Sequence, residues 1–213
     1  MDSMKKRAMV AGMVSNIKER VRMLDTHMRV GGAHEIARRY FVMNSFDGVL
    51  TMLGIIVGAY GTKTVSPEII VSAGVGASIA MGVSGMTGAY MTERAERSHE
   101  LRKIERAMLK KLGNSIFHDM SGTVSIVTAL IDGLSPALAG GIIIIPFLLS
   151  MGNVLTISAA VFVSVVLCFL ELFFLGIYLG KISRGNLLTH GARMVAIGIL
   201  VSLIIFLLLH RLF

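Results

Sequence analysis

Asn44-Ser45-Phe46-Asp47-Gly48-Val49-Leu50-Thr51-Met52-Leu53-Gly54-Ile55-Ile56-Val57-Gly58 opens a long apolar run and carries a carboxylate, Asp47, near its start. A charge at membrane depth loses its water and gains little from lipid, so an ionisable residue there is a functional candidate. The plainer reading is that Asp47 caps a transmembrane helix at the interface, where water still reaches it. The pattern recurs in Ile131-Asp132-Gly133-Leu134-Ser135-Pro136-Ala137-Leu138-Ala139-Gly140, where Asp-Gly again precedes a small-residue-rich apolar run. Two such starts in one small chain point to a duplicated half, as in many transporters.

The 213 residues are 54% hydrophobic with mean hydropathy +0.74, and the apolar residues come in blocks. That composition excludes a soluble domain of this length. A bilayer core takes about 20 apolar residues per helix. Five segments qualify, at roughly 44–62, 66–90, 129–150, 154–180 and 190–210. The fold class expected is therefore an all-α, polytopic membrane protein with five transmembrane helices per protomer. The first three segments are rich in Gly, Ala, Ser and Thr, the composition of closely packed or pathway-lining helices.

The net charge of +8 does not point to nucleic acid, because of where the charge sits. All Lys and Arg residues except Lys63 and Arg211 fall in residues 1–40, 91–119 and 181–193. Five crossings place these three stretches on one side. Basic loops stay in the cytoplasm, so the N-terminus is expected inside and the C-terminus outside. Anionic lipid headgroups are the expected partner of this charge. Cys168, the single cysteine, lies in the fourth apolar run, which excludes an intrachain disulfide and a cysteine metal site. No cleavable signal peptide is visible, so the first spanning helix is expected to act as its own insertion signal.

Four regions follow from this pattern: a cytoplasmic amphipathic arm over 1–43, spanning helices over 44–90, a cytoplasmic helical segment over 91–119, and spanning helices over 120–213. In the arm, Met9, Met13, Ile17, Val21 and Leu24 recur every three or four residues on a basic background. That stripe suits a helix lying on the membrane. His27, His34 and Glu35 read as incidental there. Gly54 and Gly58 form a small-xxx-small pair for close helix approach. In the second segment, Met81 among Ser78, Gly82 and Gly85 reads as packing by itself, although a thioether is also a soft ligand for a transition metal.

Past Tyr90 no Gly or Pro interrupts the pattern before Gly113, so the second helix is expected to continue into the cytoplasm. Here Glu93, Glu96 and Glu100 recur with His99 beside them, and Glu105 closes the stretch. Glu93 and Arg97 suit an ordinary i, i+4 ion pair. Glu96 and Glu100, however, are a like-charge pair at that spacing, which destabilises a helix unless a cation sits between them. Carboxylates with an imidazole are ligands that Mn²⁺ or Fe²⁺ accept. Farther on, Pro146 is expected to kink or interrupt its helix, and Glu171 is a second charge in an otherwise apolar helix.

Taken together, these residues resemble the vacuolar iron transporter family in a compact, prokaryotic-type form. The resemblance is carried by Asp47-Gly48 with Leu50-Thr51, Ser78-Ile79-Ala80-Met81-Gly82 with Tyr90, the Glu93/Glu96/Glu100 segment, the Gly141 to Phe147 run, and Gly176 with Gly180-Lys181. It covers most of residues 40–185. It implies a homodimer with the metal path between the two first helices, and exchange of cytoplasmic Fe²⁺ or Mn²⁺ for protons. Asp47 and Met81 match the family's intramembrane ligands. Glu93, Glu96, His99, Glu100 and Glu105 fall in its metal-collecting helix, which is much shorter here than in plant members. No prosthetic group is implied; the metal is cargo. A compact member of this kind is expected in a prokaryotic plasma membrane.

Two rivals compete with this expectation. Intramembrane phosphotransferases also open a helix with Asp-Gly, but they need Ala-Arg soon after and two further spaced aspartates. Here Val-Leu-Thr-Met follows and the next aspartate is Asp119, so an enzyme is not expected. The other rival is a non-transporting scaffold or sensor that binds metal or lipid.

Overall fold

The computed structural model describes residues 33–61, 65–109, 111 and 116–212. The amphipathic arm expected over the first 32 residues lies outside these. Five helices account for nearly all of the described chain: α1 Ala33–Gly61, α2 Pro67–Met108, α3 Ile116–Met151, α4 Ile157–Ile182 and α5 Leu187–Leu212. All five are long and apolar enough to cross a membrane. Helices are what hydrocarbon demands, because every backbone N–H and C=O must find a partner within its own segment.

The ends of the helices follow from sequence. Pro67, with no N–H to lose, opens α2. The Thr156 hydroxyl accepts the Ala159 N–H at 3.3 Å to cap α4. The Asn186 side chain accepts from the N–H groups of Leu188 and Thr189 at the start of α5. As expected, α2 does not stop at the end of its apolar stretch. It runs unbroken for 42 residues, about 63 Å at 1.5 Å per residue, and Leu109 then turns the chain with φ 51°.

Two compact units emerge, one of residues 39–88 with 130–213 and one of 33–38 with 89–129. In the first, α1 buries Val49, Met52, Leu53 and Ile56, the i, i+3, i+4, i+7 face of a helix, beside Ile143, Ile144 and Phe147 of α3. Helix α4 contributes every fourth residue from Ala160 to Gly180, including Cys168. Helix α5 is the least buried of the five, with 6% of its apolar window buried. In the second unit, Ala89, Glu93 and Val124 are among the buried residues.

Glycines set the closest helix contacts. A Cβ on Gly48 would lie 2.7 Å from the Pro136 carbonyl oxygen and 2.8 Å from its Cα, so α1 and α3 meet there backbone to backbone. Gly82 and Gly133 bring α2 and α3 together in the same way: a Cβ on Gly133 would lie 2.6 Å from the Gly82 oxygen. The small pair expected on α1 does not do this. Gly58 has nothing within 4 Å and Gly54 meets only the tip of Ile205 at 3.5 Å. The face that needs glycine is the one turned toward α3.

Pro146 does not interrupt its helix. Helix α3 continues through both Pro136 and Pro146. Part of the disturbed backbone finds a partner across the helix interface, where the Ser164 hydroxyl of α4 donates to the Ile143 carbonyl at 2.9 Å.

Two substitutions test this packing. Gly48→Ala must push against Pro136 backbone and is expected to destabilise the protein by about 1–3 kcal/mol, whereas Gly76→Ala, with nothing within 4 Å, should be neutral within about 0.5 kcal/mol. Thermal unfolding in detergent measures both. Cys168, 0% exposed, should resist N-ethylmaleimide in the folded protein and react fully once it is denatured.

Candidate metal-binding site

Asn44, Asp47 and Thr51 share one face of α1 at i, i+3 and i+7. Asp47 is exposed on the protomer although it lies inside a membrane-spanning helix. The Thr51 hydroxyl donates to the Met81 sulfur of α2 at 3.5 Å. A hard carboxylate and a soft thioether therefore belong to one face of the α1–α2 pair. Both were singled out from sequence. Thr51, which ties them together, was visible only as part of the motif.

Asp132 was recognised as an echo of Asp47 and given no role. It is 5% exposed on α3, and its carboxylate accepts a hydrogen bond from the Asn44 side-chain nitrogen. The same nitrogen donates to the Tyr40 carbonyl at 3.0 Å. Gly85 of α2 leaves room for the carboxylate: a Cβ there would sit 2.7 Å from Asp132 Oδ2. Two further polar groups lie among the apolar residues. The Ser78 hydroxyl and one oxygen of Glu171 are buried with no hydrogen-bonding partner among the described residues.

The second group of expected ligands does not converge in one protomer. Glu93 is 7% exposed and pairs with Arg97, Oε2 to Nε 4.0 Å. Glu105 is half-buried on the same stripe as Glu93, Arg97 and Leu101, whereas Glu96, His99 and Glu100 are exposed. Among the described residues no three His, Cys, Asp or Glu side chains are grouped to hold a metal ion. The expected i, i+4 ion pair is thus present, and the like-charged Glu96 and Glu100 face outward. Nearby, Arg94 donates to the Tyr90 hydroxyl at 2.8 Å.

Comparison with known proteins adds two findings. The model of the VIT family matches residues 38–116, which hold Asp47, Met81 and the Glu93–Glu105 stretch. An uncharacterized protein of the archaeon Methanocaldococcus jannaschii is 33% identical over 177 residues, covering 82% of this chain and 89% of its own length. With a carboxylate and a thioether on one face of its first two helices and five apolar spans, the chain belongs to the VIT family and is an integral, multi-pass membrane metal transporter.

Proposed function

We propose that the protein is a homodimeric exchanger, not an enzyme, that exports Fe²⁺ or Mn²⁺ from the cytoplasm in return for protons. The observation that carries this reading is the exposed Asp47 carboxylate beside the Thr51–Met81 contact within the spanning helices. In one protomer Asp47 would face hydrocarbon, where a charge costs about 2.5 kcal/mol or more. A second copy set against this face covers it and brings a second Asp47 and Met81 to a path between the two α1 helices. Carboxylates supply charge, and thioethers favour transition metals over Mg²⁺ and Ca²⁺.

The clustering of basic residues supports a cytoplasmic N-terminus in a prokaryotic plasma membrane, with anionic lipid against the basic segments. Glu96, His99 and Glu100 then sit on the cytoplasmic continuation of α2 and collect the ion for Asp47. Glu93 and Glu105 serve this segment from its half-buried stripe. Protonating a ligand carboxylate weakens its hold on metal, so an acidic far side drives release and a proton returns in exchange.

Purified protein in liposomes with a pH dye inside tests this directly. Fe²⁺ or Mn²⁺ added outside should move protons, and the flux should rise as the metal-releasing side is acidified. Asp47→Ala should abolish it, and Met81→Leu should raise the half-saturating metal concentration. Absence of flux from wild type, with metal still bound by the 91–119 segment of the intact protein, would favour the scaffold reading instead.

The Glu residues separate by a second measurement. Glu96→Gln with Glu100→Gln should lower flux at low metal concentration and leave thermal stability within about 0.5 kcal/mol. Glu93→Ala should cost about 1–3 kcal/mol, because it strips a buried partner from Arg97.

A further inference from the structure

The exchange reading leaves Asp132 unused, yet its surroundings are those of a built polar site. It is a carboxylate 5% exposed within the α3 span. Among the described residues it has no ion pair with Lys, Arg or His; the hydrogen-bond donor to it is the neutral Asn44 amide. If only an acceptor for Asn44 were needed, an amide at this position would serve without the cost of burying an ionisable group. A buried carboxylate that lacks a cationic partner in protein is one that a mobile cation can complete.

Two other oxygens lie beside it. Pro136, four residues on, has no N–H, so the Asp132 carbonyl is deprived of its usual helical donor. That carbonyl is turned to α2: a Cβ on Gly85 would lie 3.6 Å from it and 2.7 Å from the carboxylate oxygen Oδ2. Asn44 spends its nitrogen on Asp132 and Tyr40, which leaves its amide oxygen as an acceptor. Carboxylate, main-chain carbonyl and amide oxygen are all hard ligands. Backbone carbonyls freed within a spanning helix hold ions in other transport proteins.

We propose that Asp132, with its own carbonyl and the Asn44 amide oxygen, forms a second binding station for the divalent cation. It lies one turn of α1 from Asp47, since Asn44 precedes Asp47 by three residues, about 4.5 Å along the helix. The station is on the N-terminal side of Asp47, so in the orientation proposed above the ion meets it first. This inference rests on the exchange reading and names a step within it. The set lacks sulfur, so it accepts Mn²⁺ and Fe²⁺ without the preference that Met81 imposes.

The test uses full-length protein and Mn²⁺ as probe, with proton flux in liposomes and Mn²⁺ binding followed by the loss of the free-ion electron paramagnetic resonance signal. Asp132→Asn keeps an acceptor for Asn44 and removes the charge. It is expected to raise the half-saturating Mn²⁺ concentration about tenfold, by more than it lowers the maximal rate, with no loss of thermal stability. The Asp47→Ala, Asp132→Asn double variant should bind one Mn²⁺ per protomer fewer than Asp47→Ala. Half-saturation and stoichiometry unchanged by Asp132→Asn would overturn the station, as would lower stability with unchanged half-saturation, the mark of a purely structural residue. Wild type that neither binds Mn²⁺ nor moves protons overturns the exchange reading itself, and the station with it. Binding and flux lost in Asp47→Ala but kept in Asp132→Asn sinks the station alone.

Discussion

A carboxylate in hydrocarbon must be covered, paired or neutralised, and this chain carries Asp47, Asp132 and Glu171 among the apolar residues of its spanning helices. Each meets the constraint differently. Asp47 is presented outward on α1. Asp132 is turned inward onto an amide. Glu171 is half-buried, with one oxygen shut away from any donor among the described residues. The packing of the first three helices follows from keeping Asp132 inside. Gly48, Gly82 and Gly133 bring backbones into direct contact, Gly85 leaves room for the Asp132 carboxylate, and in this close layer an α1 amide reaches an α3 carboxylate. Any larger residue at these positions would open the layer to lipid, where an unpaired polar group costs several kcal/mol.

The residues differ in how much their own sequence disclosed. Five apolar blocks mark five helices, and the run past Tyr90, free of Gly and Pro, disclosed that α2 outlasts its apolar part, although the helix ends at Met108, ahead of Gly113. Asp47 and Met81 stood out because their chemistry is at odds with their neighbours. The tie between Asn44 and Asp132 was not legible, because it joins positions 88 apart in sequence and no local pattern encodes such a contact. Glycine spacing alone is uninformative within the protomer for a related reason. Gly54 and Gly58 have the right interval, but whether a glycine is used depends on what lies opposite, and Gly48 is the one that faces Pro136. Burial likewise split the Glu93–Glu105 stretch, separating Glu93 and Glu105 from three outward-facing neighbours of the same chemistry.

Hard and soft donors are distributed unevenly along this fold. Carboxylate oxygens, which are hard donors, are found at Glu96, Glu100 and Asp132, while the soft thioether of Met81 is held to α1 through Thr51. Met52 is also buried nearby, packed against the positions of Gly74 and Gly140. The thioether that meets α1 is thereby fixed at one level of the α1–α2 pair, where the hydroxyl–sulfur contact restrains an otherwise flexible side chain.

Helices α4 and α5 carry a consequence for how the protein is made. They are joined by a link of a few residues, and a Cβ on Gly176 would lie 2.5 Å from the His190 carbonyl oxygen, so their contacts are close in sequence as well as in space. Loop closure disfavours contacts of long separation. The hairpin can therefore zip together as it emerges from the insertion machinery, while the Asn44–Asp132 tie must wait until α3 has followed α1 and α2 into the bilayer. Because the helices are made in chain order, that tie can close before α4 and α5 exist, and the last hairpin then packs onto a layer already joined.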